Sequence, residues 1–73
     1  MKLKLERAIN GYIVTLSFAN EWTTSAIFEE IDDAVDLFRW YSRMSLENVT
    51  MSDFNVRAKI IKAEGEQKRS NKN

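Results

Sequence analysis

The dipeptide Asn10-Gly11 separates two runs of strand-like sequence, LKLERAI and YIVTLSFA. A type I′ turn requires positive φ at both central residues, and Asn followed by Gly tolerates this best. The sequence therefore predicts a two-residue hairpin, and the turn decides which residues face each other. The predicted cross-strand pairs are Ile9–Tyr12, Arg7–Val14, Leu5–Leu16 and Leu3–Phe18. This register collects the apolar side chains on one face of the hairpin.

A third strand and a helix are predicted after the hairpin. Beyond a turn at Asn20-Glu21, the segment WTTSAIF is rich in the β-branched and aromatic residues that strands favour. The segment IFEEIDDAVDLFRWYSRM, residues 27–44, carries acids early and arginines late, as the helix dipole favours. Its apolar residues share one arc of a helix: Ile31, Ala34, Val35, Leu37, Phe38, Tyr41 and Met44. The predicted fold class is α+β, a three-stranded antiparallel meander packed on one amphipathic helix.

The sequence beyond residue 48 allows two interpretations. In FNVRAKIIKA, apolar and polar residues alternate, which predicts a fourth, C-terminal strand and the order βββαβ. Alternatively, Ser52-Asp53 caps a second helix. The apolar positions of that helix would be Phe54, Ala58 and Ile61.

The end of the chain is predicted to lie outside the fold. Residues 65–73 are polar and basic, which predicts a flexible, disordered tail behind a single α+β domain at 1–64. No apolar run approaches the length of a membrane span, and the N-terminal MKLKLERAI has no apolar core of a signal peptide. We therefore expect a cytoplasmic protein with no membrane partner.

Composition limits the chemistry that is open to the chain. Its 73 residues include no cysteine and no histidine, and Lys plus Arg equals Asp plus Glu at 11 each. Disulfides and thiolate zinc sites are therefore excluded, and the commonest general base is missing. Small chains without such staples often rely on a second subunit, which favours a homo-oligomer. With only two glycines there is no glycine-rich phosphate loop, so we expect no cofactor and no enzymatic activity.

The acidic start of the predicted helix does not resemble a metal site. Asp32 and Asp36 share a helical face, but Asp33 points about 100° away from Asp32. A hard cation needs several oxygens that converge on one point. We therefore interpret these carboxylates as a solvated helix face and predict neither a metal site nor a catalytic site.

The second face of the predicted sheet suggests an alternative function. It carries basic and hydroxyl side chains: Lys2, Lys4, Thr15, Ser17, Thr23 and Ser25. Three strands followed by a helix resemble, in topology, the arm-binding domains of phage-type integrases, which present a sheet to the major groove of DNA. That resemblance implies a nucleic-acid-binding module. The face is less basic than such a role requires, and the chain has no net charge, so this function ranks second.

A further resemblance rests on NGYIV and on the strand that ends in IFEEIDDAVDLF. Over residues 8–44 the chain resembles small uncharacterised proteins of tailed bacteriophages. The resemblance implies an accessory protein of the host cytoplasm that modulates or inhibits a host protein by binding it, or that binds a phage protein. It carries over no functional residues. The chain departs from the commoner pattern at Glu30, where Ser or Asp would cap the helix.

One residue of the predicted helix is out of place. Trp40 lies about 180° from Ile31 on the helical wheel, within the polar face. An exposed tryptophan gives up much burial energy, and tryptophan is enriched at binding hot spots. We therefore predict an interface for a partner or a second copy around Trp40. Its apolar part would be Leu37, Trp40 and Met44, and its rim Arg39 and Arg43.

Overall fold

The computed structural model describes residues 2–18, 21–44 and 49–70. Three strands are followed by two helices: β1 Lys2–Ala8, β2 Gly11–Phe18, β3 Trp22–Phe28, α1 Ile31–Ser42 and α2 Met51–Ser70. The strands form one antiparallel sheet in the order β1-β2-β3. The predicted α+β class, with an antiparallel meander and an amphipathic helix, is confirmed.

The hairpin forms as predicted, but its register differs by two residues. Leu5 lies opposite Val14 rather than Leu16, and the last pair before the loop joins Ala8 and Gly11. Side chains alternate between the two faces of a sheet with a period of two, so the shift leaves each residue on its predicted face. The predicted faces are therefore confirmed, whereas the predicted pairs are wrong.

The loop of the hairpin is Ile9-Asn10, and Gly11 is the first residue of β2. The φ angle of Gly11 is +153°, a conformation that residues with a side chain rarely adopt. A Cβ atom on Gly11 would also overlap the carbonyl oxygen of Phe28 on β3. The glycine therefore permits the close approach of two strands instead of sitting inside the turn, and the loop forms one position earlier than predicted.

The two helices cover one face of the sheet. α1 packs chiefly on β1 and β2, whereas α2 packs on β3 and on α1. The buried apolar residues between the sheet and the helices are Val14, Leu16, Ala26, Phe28, Ala34, Leu37, Tyr41, Phe54, Ala58 and Ile61. On the opposite face, the β3 residues Thr23, Ser25 and Ile27 are exposed.

The segment predicted as a fourth strand, residues 54–63, lies within α2, as in the alternative interpretation. Its start is fixed by a reciprocal capping pair, since the Asp53 amide donates to Thr50 Oγ1 at 3.1 Å. The Thr50 amide in turn donates to the Asp53 carboxylate at 3.3 Å. The cap therefore lies at Thr50 rather than at the predicted Ser52-Asp53. The predicted apolar positions of the helix are all buried: Phe54, Ala58 and Ile61.

Helix α2 continues to Ser70 and so runs through the predicted boundary between the domain and its tail. Gly65 is buried within the helix, against the carboxylate of Asp33. Residues 65–70 are therefore part of the helix, and the predicted boundary after residue 64 falls inside α2. Residues 71–73 of that predicted tail lie outside the described residues.

The position of Asp33 on α1 also differs from the prediction, since the sequence placed this residue on a solvated face. Its residue exposure is only 6 %. Arg69 Nη2 donates a hydrogen bond to Asp33 Oδ2 at 3.1 Å, and this bond raises the pKa of the Arg69 guanidinium above its ordinary value. A Cβ atom on Gly65 would lie 2.7 Å from the same carboxylate oxygen, so the glycine provides the space for this ion pair.

We predict that Gly11→Val destabilises the fold by more than the roughly 1 kcal/mol of an ordinary glycine substitution, because it adds backbone strain and a clash with Phe28. Urea denaturation followed by circular dichroism measures the loss. Ile9→Val, at the fully exposed tip of the same hairpin, is the control and should lie within about 0.5 kcal/mol of the parent protein. Equal stability of Gly11→Val and the parent protein would contradict the assigned role of Gly11.

A second prediction concerns the sign of an alanine substitution in α2. Gly65→Ala should destabilise by about 1–3 kcal/mol, because the new methyl group displaces the buried Asp33 carboxylate from Arg69. In the Asp33→Ala background, the same substitution should stabilise by up to about 1 kcal/mol through helix propensity alone. Urea denaturation measures the stability of the parent protein, the two single variants and the double variant, which together form a double-mutant cycle. The same sign in both backgrounds would show that Gly65 is not there to accommodate Asp33.

Candidate interaction surface at Trp40

Trp40 lies near the end of α1 and is 43 % exposed. It forms one wall of a groove of about 380 Å³ between the C-terminal part of α1 and the N-terminal half of α2. This groove, called here the Trp40 groove, is lined by Trp40, Tyr41, Met44, Val49, Asp53, Val56 and Arg57. The walls are largely apolar, whereas Asp53 and Arg57 bring one charge of each sign.

The indole ring of Trp40 is held by an arginine from the other helix. The Cζ atom of Arg57 lies 4.0 Å from the ring centroid, within the range of a cation–π contact. The sequence placed Arg39 and Arg43 on the rim of the predicted interface, and it missed Arg57. A helical wheel of α1 cannot reveal Arg57, since this contact exists only because residues 51–70 form a helix that packs beside α1.

The structure brings together four of the five residues predicted for the interface. Trp40 and Met44 line the Trp40 groove, and both are exposed. Arg39 and Arg43 line a neighbouring depression that shares the Trp40 ring and Arg57. Leu37 is different, because its residue exposure is 0 % and it belongs to the core. The prediction that Leu37 contributes to an exposed interface is therefore wrong.

The floor of the Trp40 groove is formed by Tyr41, which is also part of the core. Its ring packs against Phe54 with 5.3 Å between the ring centroids. Burial raises the pKa of the Tyr41 phenol above its ordinary value, the charge of Asp53 raises it further, and the charge of Arg57 opposes both. The folded state therefore favours the neutral phenol.

The acidic residues of α1 do not assemble a metal site. Among residues 2–18, 21–44 and 49–70, no group of three or more acid, histidine or cysteine side chains is placed to hold a metal ion. Asp32, Asp33 and Asp36 line a depression with Lys68 and Arg69, and Asp33 already accepts a hydrogen bond from Arg69.

Within the described part of the chain, no helix has the length and apolar character that crossing a membrane requires.

The face of the sheet that the helices do not cover is called here the open sheet face. Its hydroxyl groups form hydrogen bonds with one another. Thr15 Oγ1 lies 3.1 Å from Ser25 Oγ, and Thr23 Oγ1 donates to Ser17 Oγ at 3.3 Å. Lys4 Nζ lies 2.9 Å from the carboxylate of Glu6. Part of the hydrogen-bonding and ion-pairing capacity of these side chains is therefore already used within the protein.

We predict that Tyr41 ionises at higher pH in the folded protein than in the unfolded chain. The raised pKa stabilises the fold fully below the ordinary tyrosine pKa of about 10, and this contribution is lost as the pH rises through the folded value. Tyr12→Phe leaves Tyr41 as the only tyrosine, so phenolate absorbance reports Tyr41 alone. The titration midpoint should be higher in buffer than in concentrated urea. Equal midpoints would show that burial does not perturb Tyr41.

Comparison of the chain with protein-family models, with curated proteins and with solved structures gave no match. The resemblance of residues 8–44 to small phage proteins therefore stays a prediction from the sequence. The function is inferred from the geometry and chemistry of the chain's own residues.

Proposed function

We propose that the protein is a non-enzymatic interaction protein that binds another protein through the Trp40 groove. The observation that carries this proposal is an exposed tryptophan whose ring is already positioned, 43 % exposed and 4.0 Å from the Arg57 guanidinium. Tryptophan and arginine are the residue types that most often dominate binding energy at interfaces. A ring that is ordered before binding also loses less conformational entropy on association.

The lining of the groove indicates the chemistry of the partner. Met44 and Val56 are exposed apolar walls on either side of the groove, and they fit an apolar side chain of the partner. The rim carries charges of both signs, with Asp53 and Arg57 beside the groove and Arg39 in the adjoining depression. A polar, mixed-charge rim around an apolar centre is the usual anatomy of a protein–protein interface.

The resemblance to phage accessory proteins supplies the biological context of the proposal. It implies that the partner is a protein of the host cytoplasm, and that binding modulates or inhibits this host protein. A protein of the phage itself is the other partner that the resemblance implies. In either case the chain acts by occupying a surface of its partner, since the groove presents apolar and charged contacts.

The nucleic-acid alternative has less support. The open sheet face offers Lys2 and Lys4 as its basic residues, and Lys4 is paired with Glu6. The threonine and serine hydroxyls bond to each other across the strands. A face that binds the phosphate backbone needs several unpaired cations, because phosphate contacts supply most of the affinity.

We predict that Trp40→Ala abolishes partner capture and leaves the fold intact. A tagged full-length chain is used to pull down proteins from bacterial host lysate, alongside Ile27→Ala, which truncates an exposed apolar residue on the opposite side of the sheet. A protein captured by the parent and by Ile27→Ala should be lost with Trp40→Ala. Loss of a hot-spot tryptophan costs about 2 kcal/mol or more, which is roughly a thirtyfold rise in Kd.

Two outcomes would contradict the proposal. The first is capture of the same protein by Trp40→Ala at the parent level, while its thermal melt confirms that it is folded. The second is salt-dependent binding of random DNA that survives Trp40→Ala and disappears in a Lys2→Glu, Lys4→Glu double variant. That result would establish the open sheet face as a nucleic-acid-binding surface.

A further inference from the structure

Helix α2 has apolar residues on two opposite faces. Phe54, Ala58 and Ile61 are buried against the sheet and α1. On the far side, about 180° around the helix, a second apolar stripe is exposed, and its members are Val56, Ile60 and Ala63. Val56 is 52 % exposed and Ile60 39 %. The stripe residues are four and then three positions apart, which is the spacing of the seam between two packed helices.

Charged side chains line both flanks of this stripe, called here the outer stripe. Arg57 and Glu64 lie on the flank toward Trp40, and Lys59 and Glu66 lie on the flank toward β3. Within the described residues, none of these four side chains has an opposite charge within 4.0 Å. Of these four residues, each flank therefore has one positive and one negative group, and none of the four is paired within the described part of the chain.

We propose that the outer stripe pairs with the same stripe of a second copy, with the two α2 helices antiparallel. The two-fold axis that relates the two copies would pass midway between Ile60 and Ala63. Ile60 then lies opposite Ala63 of the second copy, a large side chain against a small one. The same axis places Val56 level with Gln67 of the second copy, at the edge of the contact.

The charges on the flanks select this orientation. About the same axis, Arg57 faces Glu64 of the second copy, and Lys59 faces Glu66 of the second copy. Symmetry repeats both contacts, so four ion pairs of opposite sign form, and like charges do not oppose each other at these positions. In a parallel pair, Lys59 would face Glu64, whereas Arg57 would face the neutral Ser52. Flanking charges of this kind set partner choice and orientation between helices.

The size of the chain supplies a reason for such a pairing. Chains of about this length bury a modest core, and this one has no cysteine for a disulfide. Helix α2 has 20 residues and is therefore about 30 Å long, which gives its outer face room for a continuous contact. The proposed contact shares Val56 and Arg57 with the Trp40 groove, whereas Lys59, Ile60 and Glu66 do not line that groove. Substitutions at these three positions therefore test the pairing separately from the proposed function.

The first test measures the mass of the full chain in solution. Sedimentation equilibrium over a range of concentrations should show a dimer for the parent protein and a monomer for Ile60→Glu. The matched control is Ile27→Glu, which places the same charge at an exposed isoleucine of the open sheet face and should remain dimeric. A parent protein that stays monomeric at every concentration would overturn the proposal, as would an Ile60→Glu variant that is folded and still dimeric.

The second test uses charge reversal, which leaves the apolar stripe untouched. Lys59→Glu and Glu66→Lys should each raise the dimer Kd about tenfold, because each places like charges face to face twice. The double variant recreates the pair with the charges exchanged and should return the Kd to near the parent value. Rescue of Lys59→Glu by Glu64→Lys instead would establish parallel helices and overturn the antiparallel arrangement.

Discussion

The apolar face of the three-stranded sheet must be covered, and this requirement determines how the chain is arranged after Phe28. Neighbouring strands lie about 4.8 Å apart, and a helix is about 10 Å across, so one helix covers roughly two strands. α1 packs chiefly on β1 and β2, and β3 is left for a second element. α2 fills that place, and it also buries the side of α1 that carries Asp33 and Tyr41.

The strong local patterns of the sequence predicted much of this fold. Alternation in the hairpin identified the buried face correctly even though the register was wrong, because a shift of two residues preserves the faces. The C-terminal segment was ambiguous for a physical reason. Its inner residues Phe54 and Ala58 and its outer residues Val56 and Ile60 together imitate the two-residue alternation of a strand. The capping pair at Thr50 and Asp53 was the local signal that favours a helix.

The candidate site was predictable only as far as a single helix allows. The helical wheel of α1 identified Trp40 as an apolar residue on a polar face, and Trp40 is indeed exposed. The wheel gave no information on where α2 would lie. For that reason the sequence analysis missed Arg57 over the indole ring, extended the predicted interface to the buried Leu37 and treated Asp33 as solvated. Contacts between elements that are distant in the chain depend on tertiary packing, which periodicity does not encode.

The contact between Asp33 and Gly65 has a consequence for the way this chain can vary. The carboxylate occupies the space where a Cβ atom would stand, so the two positions cannot be altered independently without cost. Among descendants of this chain, a side chain at position 65 should arise together with a smaller residue at position 33, and Arg69 would then be released from its pairing. The residues at these three positions are therefore expected to co-vary.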